Sequence, residues 1–489
     1  MGRQFAKINF KPVMRVIGVL QLLVGGLMLC CLPFSFYYKS QDAHALLISG
    51  GLCLTIGTIL WVFTPKDDLT IRKKEGYLIV ALGWLSMVLT GAIPYLVSGV
   101  IGHPIDALFE TVSGMTTTGA SILTDIEATP KGILFWRSLT QWIGGMGIIV
   151  LTVAIFPLLG IGGIELFVAE APGPTSDKLH PRIQETAKRL WLIYVSLTGV
   201  LAVILSLAGM SFYDAINHAL TTMATGGFST KNASMAYFSQ PLIQYIIIFF
   251  MFLAGTNYTV IYFSLRREFS KVRKSEEFWA YVIIVTFLTA IITPAVINAT
   301  NHSFEQSFRE SLFQVVSLIT TTGFVSADYS QWGDAILVVI FVTLFLGACA
   351  GSTSGGIKLV RHLVFFKNSI LEFKRILHPR AIVPLKLNGS VVAPRIMTHI
   401  IIFLLIYLAI FVIGSVIVSA MGLDFNTAIG AVATSLGNVG PGIGGVGPVD
   451  NFAWLPYSVK FFLSFLMLLG RLELFTILVL FTPYFWKMN

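Results

Sequence analysis

Apolar runs of about 20 residues, separated by short polar or basic stretches, recur along the chain, and each can cross a ~30 Å hydrocarbon core as a helix. The pattern predicts ten long spans, near residues 13–37, 44–64, 77–99, 133–159, 187–209, 241–265, 276–298, 334–366, 394–421 and 455–485. Four shorter apolar segments lie near 104–117, 212–224, 307–321 and 425–437. At roughly 11 to 15 residues each, these are too short to span and have the length of re-entrant half-helices. The predicted fold class is an all-α polytopic membrane protein.

Composition agrees. The 489 residues are 55% hydrophobic and 12% charged, with a mean hydropathy of +0.80. A soluble chain carries about 25% charged residues. The first apolar run is long and lacks a small-residue cleavage site, so no cleavable signal is expected. Cys30, Cys31, Cys53 and Cys349 lie in apolar or glycine-rich segments without zinc or disulfide spacing, and read as reduced structural thiols.

The net charge of +9 gains meaning from its distribution. With the spans above, one side of the membrane collects Arg3, Lys7, Lys11 and Arg15, then Lys66, Arg72, Lys73 and Lys74. The same side takes Lys178, Arg182, Lys188 and Arg189, the cluster Arg266–Lys274, the run Lys358–Arg395, and Lys487. The opposite side holds only Lys39, Lys131, Arg137, Lys231, Arg309 and Lys460, while Arg471 falls inside the last span. This asymmetry predicts that both termini are cytoplasmic. It makes the positive charge topological and argues against a nucleic-acid partner.

The four short segments, each aligned together with its downstream turn, form a fourfold repeat. They read DALFETVSGMTTTGAS (Asp106–Ser121), DAINHALTTMATGGFS (Asp214–Ser229), ESLFQVVSLITTTGFV (Glu310–Val325) and TAIGAVATSLGNVGPG (Thr427–Gly442). Without gaps they superpose Gly119, Gly227, Gly323 and Gly440. Each short segment has one long span before it and one after, and all four fall on the external side. The predicted architecture is therefore four tandem helix–pore-helix–helix repeats around one central pore, preceded by an extra helical pair. The units are 1–75 for the pair, then 76–180, 181–274, 275–390 (with a broken second helix) and 391–489.

One such turn alone reads as a helix cap, since helix ends favour glycine. Four at equivalent positions, on one side of the membrane, point instead to a pore. Non-helical backbone at membrane depth must line water or be buried in protein. Glycine lets successive carbonyl oxygens point one way. Four such loops around an axis make a ring of carbonyl dipoles that can replace the hydration shell of a monovalent cation. Half-helices with their C-termini at that ring add negative dipole ends. The turns carry no Asp or Glu, which disfavours a divalent site.

The whole-chain plan, with TTTGAS, ATGGFS, TTTGFV and GNVGPG at the turns, resembles the Trk/Ktr/HKT superfamily of cation transporters. The extra N-terminal pair and LGNVGPG make it most like the TrkH/TrkG branch, the membrane subunit of bacterial Trk potassium uptake. The resemblance implies a potassium ion held by the backbone of Thr117, Thr118, Gly119, Thr225, Gly226, Gly227, Thr321, Thr322, Gly323, Asn438, Val439 and Gly440. In that family a serine at the first filter glycine goes with sodium permeation; this chain has glycine at all four. It also implies a homodimer in the bacterial inner membrane and a cytosolic nucleotide-binding regulatory subunit of the TrkA type. Membrane lipids are the other expected partners, and no organic cofactor is expected.

Two features of the later spans bear on gating. The run GACAGSTSGGIK (Gly347–Lys358) interrupts the span at 334–366, and its small residues suit either close helix packing or an irregular intramembrane loop. By resemblance it is a gate beneath the filter, made of Gly351, Ser352, Thr353, Ser354, Gly355, Gly356 and Lys358. Arg471 lies in the last span with Glu473 nearby, and a charge there is either a structural ion pair or functional. By resemblance, Arg471 faces the pore and meets the gating loop.

Other patterns are set aside. Gly440, Gly442 and Gly445 spell G-x-G-x-x-G without a preceding strand, and GSTSGGIK only approximates a Walker loop. His103, His218 and His302 lack metal-ligand spacing and suggest surface or capping roles, although Asn217 and His218 could modulate ion entry. No catalytic constellation appears, so an enzyme is not expected. The alternative function is a secondary transporter coupling a cation or solute to a sodium or proton gradient. Such transporters usually combine inverted repeats with buried acidic residues; here the repeats run parallel and in-membrane carboxylates are scarce.

Overall fold

The computed structural model describes residues 8–64, 72–145, 147, 183–381 and 383–487. Helices dominate, and the strands among the described residues are a two-residue hairpin pairing Lys386–Leu387 with Ser390–Val391. Six helices are long and apolar enough to span: Phe10–Tyr37, Ala43–Val62, Lys74–Val97, Lys188–Leu207, Glu276–Thr300 and Pro394–Ala420. The protein is an all-α polytopic membrane protein.

Three of the ten predicted spans are broken. The predicted 241–265 is two helices, Pro241–Gly255 and Tyr258–Leu265, bent by 107°. The predicted 455–485 is likewise Tyr457–Arg471 followed by Leu474–Phe481, bent by 113°. Hydropathy predicts both as continuous spans, and local chemistry explains the correction. Thr256 takes an extended conformation, and Asn257 starts the next helix by accepting a bond from the Thr259 N–H at 2.8 Å. In the last span Glu473 takes a left-handed φ of 63° at the break. The predicted 334–366 breaks as its small residues allow: a helix over Asp334–Thr343, irregular chain through Lys358, then a helix over Leu359–Leu377. The second half of the predicted 133–159 lies outside the described residues, beyond the helix Lys131–Gly145.

The N-terminal pair packs through glycines. A Cβ on Gly25 would lie 2.8 Å from the Gly50 carbonyl oxygen, and one on Gly57 the same distance from that of Gly18. Seven-residue spacing on both helices aligns these notches, the usual means of close approach between membrane helices. Gln21 ties the pair to the following helix through Ser86 at 2.6 Å.

The four short helices are Pro104–Met115, Phe212–Met223, Phe304–Ile319 and Phe425–Gly437. Each starts on a side-chain cap: His103, Ser211, Ser303 and Asp424 accept bonds from the N–H groups of Ile105, Asp214, Gln306 and Thr427. Each then runs into the protein interior, where its last turn is buried.

Candidate ion-coordinating loops

The four short helices end in the same way. The N–H groups of Thr117, Thr225, Thr321 and Asn438 reach back three residues to a helix carbonyl, at 3.0 to 3.3 Å. The N–H groups of Thr118, Gly226, Thr322 and Val439 reach back five, at 2.8 to 3.0 Å. This pair of bonds is the Schellman ending, which needs a left-handed residue and ordinarily uses glycine. Here the left-handed residues are Thr117, Thr225, Thr321 and Asn438, with φ between 53° and 55°. A β-branched threonine in that region is strained by about 1–3 kcal/mol. The glycines sit two positions later and are left-handed too: Gly119 at 84°, Gly227 at 76°, Gly323 at 75° and Gly440 at 104°. A simple cap needs only one such residue, so the caps alone do not account for the loops.

The glycines close a cycle. A Cβ on Gly119 would collide with the carbonyl oxygen of Gly226, one on Gly227 with that of Thr322, and one on Gly323 with that of Val439. One on Gly440 would lie 2.7 Å from the carbonyl oxygen of Thr118, which returns to the first loop. Each loop thus presses a bare Cα against its neighbour's carbonyl, and the middle carbonyl of every loop takes part. Side chains stitch the cycle: Asn438 donates to Thr118 Oγ1 at 3.0 Å, and the hydroxyls of Thr116 and Thr118 pair at 2.8 Å, as do those of Thr320 and Thr322 at 2.7 Å.

A buried polar layer supports the loops, and sequence reasoning missed it. Arg137 and Glu110 pair at 2.6 Å with almost no exposure. The Glu110 carboxylate also accepts from the Ser121 hydroxyl and the Ile122 N–H, while Arg137 donates to the Ser229 carbonyl at 3.1 Å and lies over the Phe228 ring. Two more basic residues counted only as external charges have buried roles: Lys460 pairs with Asp106 at 2.5 Å and Arg309 with Glu305 at 2.9 Å. Gln141, one turn after Arg137, donates to the Gly226 carbonyl at 2.5 Å and accepts from the Phe228 N–H at 3.0 Å. The available signal was the Glu inside DALFETV and the Arg and Gln inside LFWRSLTQW. His218 is also corrected: it is fully buried rather than a surface or capping group, bonded to the Asp214 carbonyl at 2.7 Å and the Ser229 hydroxyl at 2.9 Å. His103 does cap its helix.

Removing the Gln141 clamp strands a buried N–H and a carbonyl at once, each at a cost of about 1–3 kcal/mol. Gln141→Leu is therefore expected to lower the denaturation midpoint of the detergent-solubilised protein; an unchanged midpoint would show that the clamp contributes nothing.

The interrupted span passes beneath the loops. Its neck is closed by backbone bonds from Gly347 N to Ile357 O at 2.9 Å and from Leu359 N to Ala348 O at 3.0 Å. The Glu277 carboxylate accepts from the N–H groups of Ala350 and Val360, flanking the loop, at 2.7 and 3.1 Å. Within the loop Gly351 and Gly356 are left-handed, and the Gly351 carbonyl accepts from Tyr258 N–H at 3.1 Å. Ser352 bonds the Cys349 carbonyl and the Ser354 hydroxyl, and Lys358 Nζ donates to the Ser354 carbonyl. The tip meets the underside of the loop cycle: the Gly355 N–H donates to Thr321 Oγ1 at 2.6 Å, and Thr353 Oγ1 donates to the Met223 carbonyl at 3.0 Å. A Cβ on Gly355 would lie 2.8 Å from that of Asn438.

Arg471 reaches this tip. Its guanidinium donates to the Thr353 carbonyl at 2.9 Å and to the carbonyls of Gly144 and Gly145 at 2.5 and 2.9 Å. It joins the C-terminal end of the helix Lys131–Gly145 to the loop. The Glu473 carboxylate instead pairs with Arg361 at 2.6 Å. The expected gate residues are therefore brought together with the underside of the loops. No cluster of metal-ligating side chains occurs among the described residues.

A polytopic helical bundle with four equivalent half-helices ending in a closed cycle of backbone carbonyls defines a membrane protein of the cation-transport class. The TrkH family model, described as "Cation transport protein", matches residues 43–293 and 277–488, and the chain belongs to that family. It is 40% identical to the Trk system potassium uptake protein TrkH of Escherichia coli K12, over 98% of this chain and all of the relative. It is 34% identical to TrkG of the same strain, over 98% of this chain and 99% of the relative. Among solved structures it matches the crystal structure of the potassium transporter TrkH from Vibrio parahaemolyticus with a TM-score of 0.87 and 36% identity, covering 98% of this chain and all of the other.

Proposed function

We propose that this protein carries potassium into the bacterial cell through a pore along the axis of the four loops. The observation that supports this most directly is the closed cycle in which Gly119, Gly227, Gly323 and Gly440 each abut the neighbouring loop's carbonyl. Converging carbonyl dipoles suit a dehydrated monovalent cation, and the absence of carboxylates in the turns disfavours a divalent one. The filter is the backbone of Thr117–Gly119, Thr225–Gly227, Thr321–Gly323 and Asn438–Gly440, arranged in pore units within 76–180, 181–274, 275–390 and 391–489. Relatives named as potassium uptake proteins support potassium as the cargo. The test is rubidium or potassium uptake in a strain lacking its own systems; a well-expressed protein that restores none would overturn the proposal. Single-channel currents in a bilayer distinguish this pore from a tightly coupled secondary transporter, which would give none.

The loop over Gly351–Gly356, with Lys358 and Arg471, is the gate in this reading, since it lies against the inner face of the cycle and is held by side chains that can release it. The basic side faces the cytoplasm with both termini. A cytosolic nucleotide-binding subunit of the TrkA type docks there, and the chain works as a homodimer. Ile370, Phe373 and Leu377 are exposed beside Lys374 and Arg375 on the helix Leu359–Leu377, an apolar and basic surface of the kind such docking requires.

The strained threonines yield a further expectation. The Thr117 hydroxyl is buried without a hydrogen-bond partner. Thr117→Gly relieves the left-handed strain, so its stability should stay within about 1 kcal/mol of the parent or rise. Potassium affinity should fall, because the loop loses both its hydroxyl and its rigidity. Uptake measured against potassium concentration reads this out as a raised KM, and an unchanged KM would remove the side chain from the ion site.

A further inference from the structure

The position nine residues before each loop glycine carries Glu110, His218, Gln314 and Ala431. The first three differ in charge and shape, yet each bonds the segment that leaves its own loop. Glu110 accepts from the Ser121 hydroxyl and the Ile122 N–H, two and three residues past Gly119. His218 meets the Ser229 hydroxyl at 2.9 Å, two residues past Gly227. Because the His218 Nδ1 faces the Asp214 carbonyl, that nitrogen carries the proton and Nε2 accepts from Ser229, whose oxygen in turn accepts from the Lys231 N–H at 3.1 Å. Gln314, in the orientation that satisfies both of its amide groups, accepts from the N–H groups of Ser326 and Ala327 at 2.8 and 3.3 Å, three and four residues past Gly323. Three unrelated side chains thus perform one task, which helix packing alone does not require.

The fourth loop reaches the same end by another route. Ala431 can make no such bond. There the outgoing segment is held by the Tyr329 hydroxyl, which donates to the Gly442 carbonyl at 2.7 Å, and by the bond from Gly442 N to Val446 O at 2.7 Å. It lies so close to its own helix that a Cβ on Gly430 would overlap Ile443.

We propose that Glu110, His218 and Gln314 are positioning residues for ion selectivity: each ties the segment leaving its loop to its half-helix and so fixes where the loop carbonyls stand. The proposal rests on reading the four loops as the ion filter. In the cavity-size account of carbonyl filters, a ring discriminates between cations of different radius as far as it resists contraction around the smaller one. The tethers add to that resistance by holding the segment that leaves each loop.

The test exchanges side chains between equivalent sites. His218→Leu and Gln314→Leu remove the tether, while His218→Gln and Gln314→His install the group that another repeat uses there. Ser229→Ala removes the partner and leaves the half-helix intact, so the question stays answerable if a leucine variant fails to insert. Each is compared with the wild type by rubidium uptake under sodium competition, together with the potassium KM. Loss of one buried tether is expected to lower potassium-over-sodium preference about three- to tenfold. The swapped variants should return to within about twofold of the wild type, a rescue that general destabilisation would not give. If the inserted leucine variants and Ser229→Ala all keep the wild-type preference, the proposal is overturned. Gly323→Ser in the same assay separates the two ideas: a loss of preference there, with none in the tether variants, rejects the tethers and keeps the filter. No loss in either rejects the filter reading and the proposal with it.

Discussion

Gly323→Ser is expected to abolish most potassium uptake, and the uptake that remains should distinguish poorly between potassium and sodium. Gly323 has a φ of 75°, and its missing Cβ is the space filled by the Val439 carbonyl oxygen, with Pro441 Cδ 2.9 Å away. Serine adds a left-handed side-chain penalty of about 1–2 kcal/mol. It also forces apart two loops that have no room to yield, an overpacking term of about 1–3 kcal/mol. The displaced group is a carbonyl proposed to face the ion, so the damage is to coordination and not only to folding. Gly99→Ser is the matched control: Gly99 has almost the same φ, 73°, but nothing lies within 4 Å of its missing Cβ. That variant should carry the strain and keep the selectivity. Uptake of rubidium against increasing sodium, normalised to protein in the membrane, measures both. Equal selectivity in the two variants would show that the close approach at Gly323 has no bearing on the ion.

The half-helices were legible in the sequence to within a few residues, because a short apolar run cannot span and so signals itself by length. The segment predicted near 212–224 is the helix Phe212–Met223, and that near 425–437 is Phe425–Gly437. The glycine alignment was legible for a different reason: positions forced to left-handed φ beside a neighbour's carbonyl tolerate no side chain. Features decided by distant partners could not be read. The breaks at Thr256 and Leu472 carry no proline, and beside each a glycine lies against another element: Gly255 on Thr320, Gly470 on the Leu436 carbonyl. Arg137 and Gln141 look like stray polar residues in the sequence because their loop partners lie 92 and 85 residues away. The burial of His218 is hidden for the same reason. Its helix gives no sign that the loop beyond Gly227 turns back onto it.

Arg471→Ala should raise cation uptake, by up to about tenfold, and leave the order of preference among cations unchanged. The guanidinium holds the Thr353 carbonyl at 2.9 Å and, through Gly144 and Gly145, anchors the loop tip to the first repeat. A hydrogen bond to a charged group contributes about 1.5–3 kcal/mol. Its removal favours the open loop by that amount, less whatever the remaining contacts retain. Those contacts are real: Gly355 N to Thr321 Oγ1 at 2.6 Å and Thr353 Oγ1 to Met223 O at 3.0 Å persist without Arg471. The rate should therefore rise without the loop being lost. A second effect acts in the same direction, because a fixed positive charge beneath the proposed cation filter would oppose the ion leaving it, and alanine removes that barrier. Arg471→Lys distinguishes the two effects. Lysine keeps the charge but cannot span carbonyls on two elements with a planar fork. If tethering dominates, lysine should behave like alanine; if charge dominates, it should behave like the parent. Initial rates of rubidium uptake in liposomes at fixed protein density decide the matter. An Arg471→Ala protein that inserts normally but transports no faster than the parent would remove Arg471 from the gate and leave it a structural cap on the helix Lys131–Gly145.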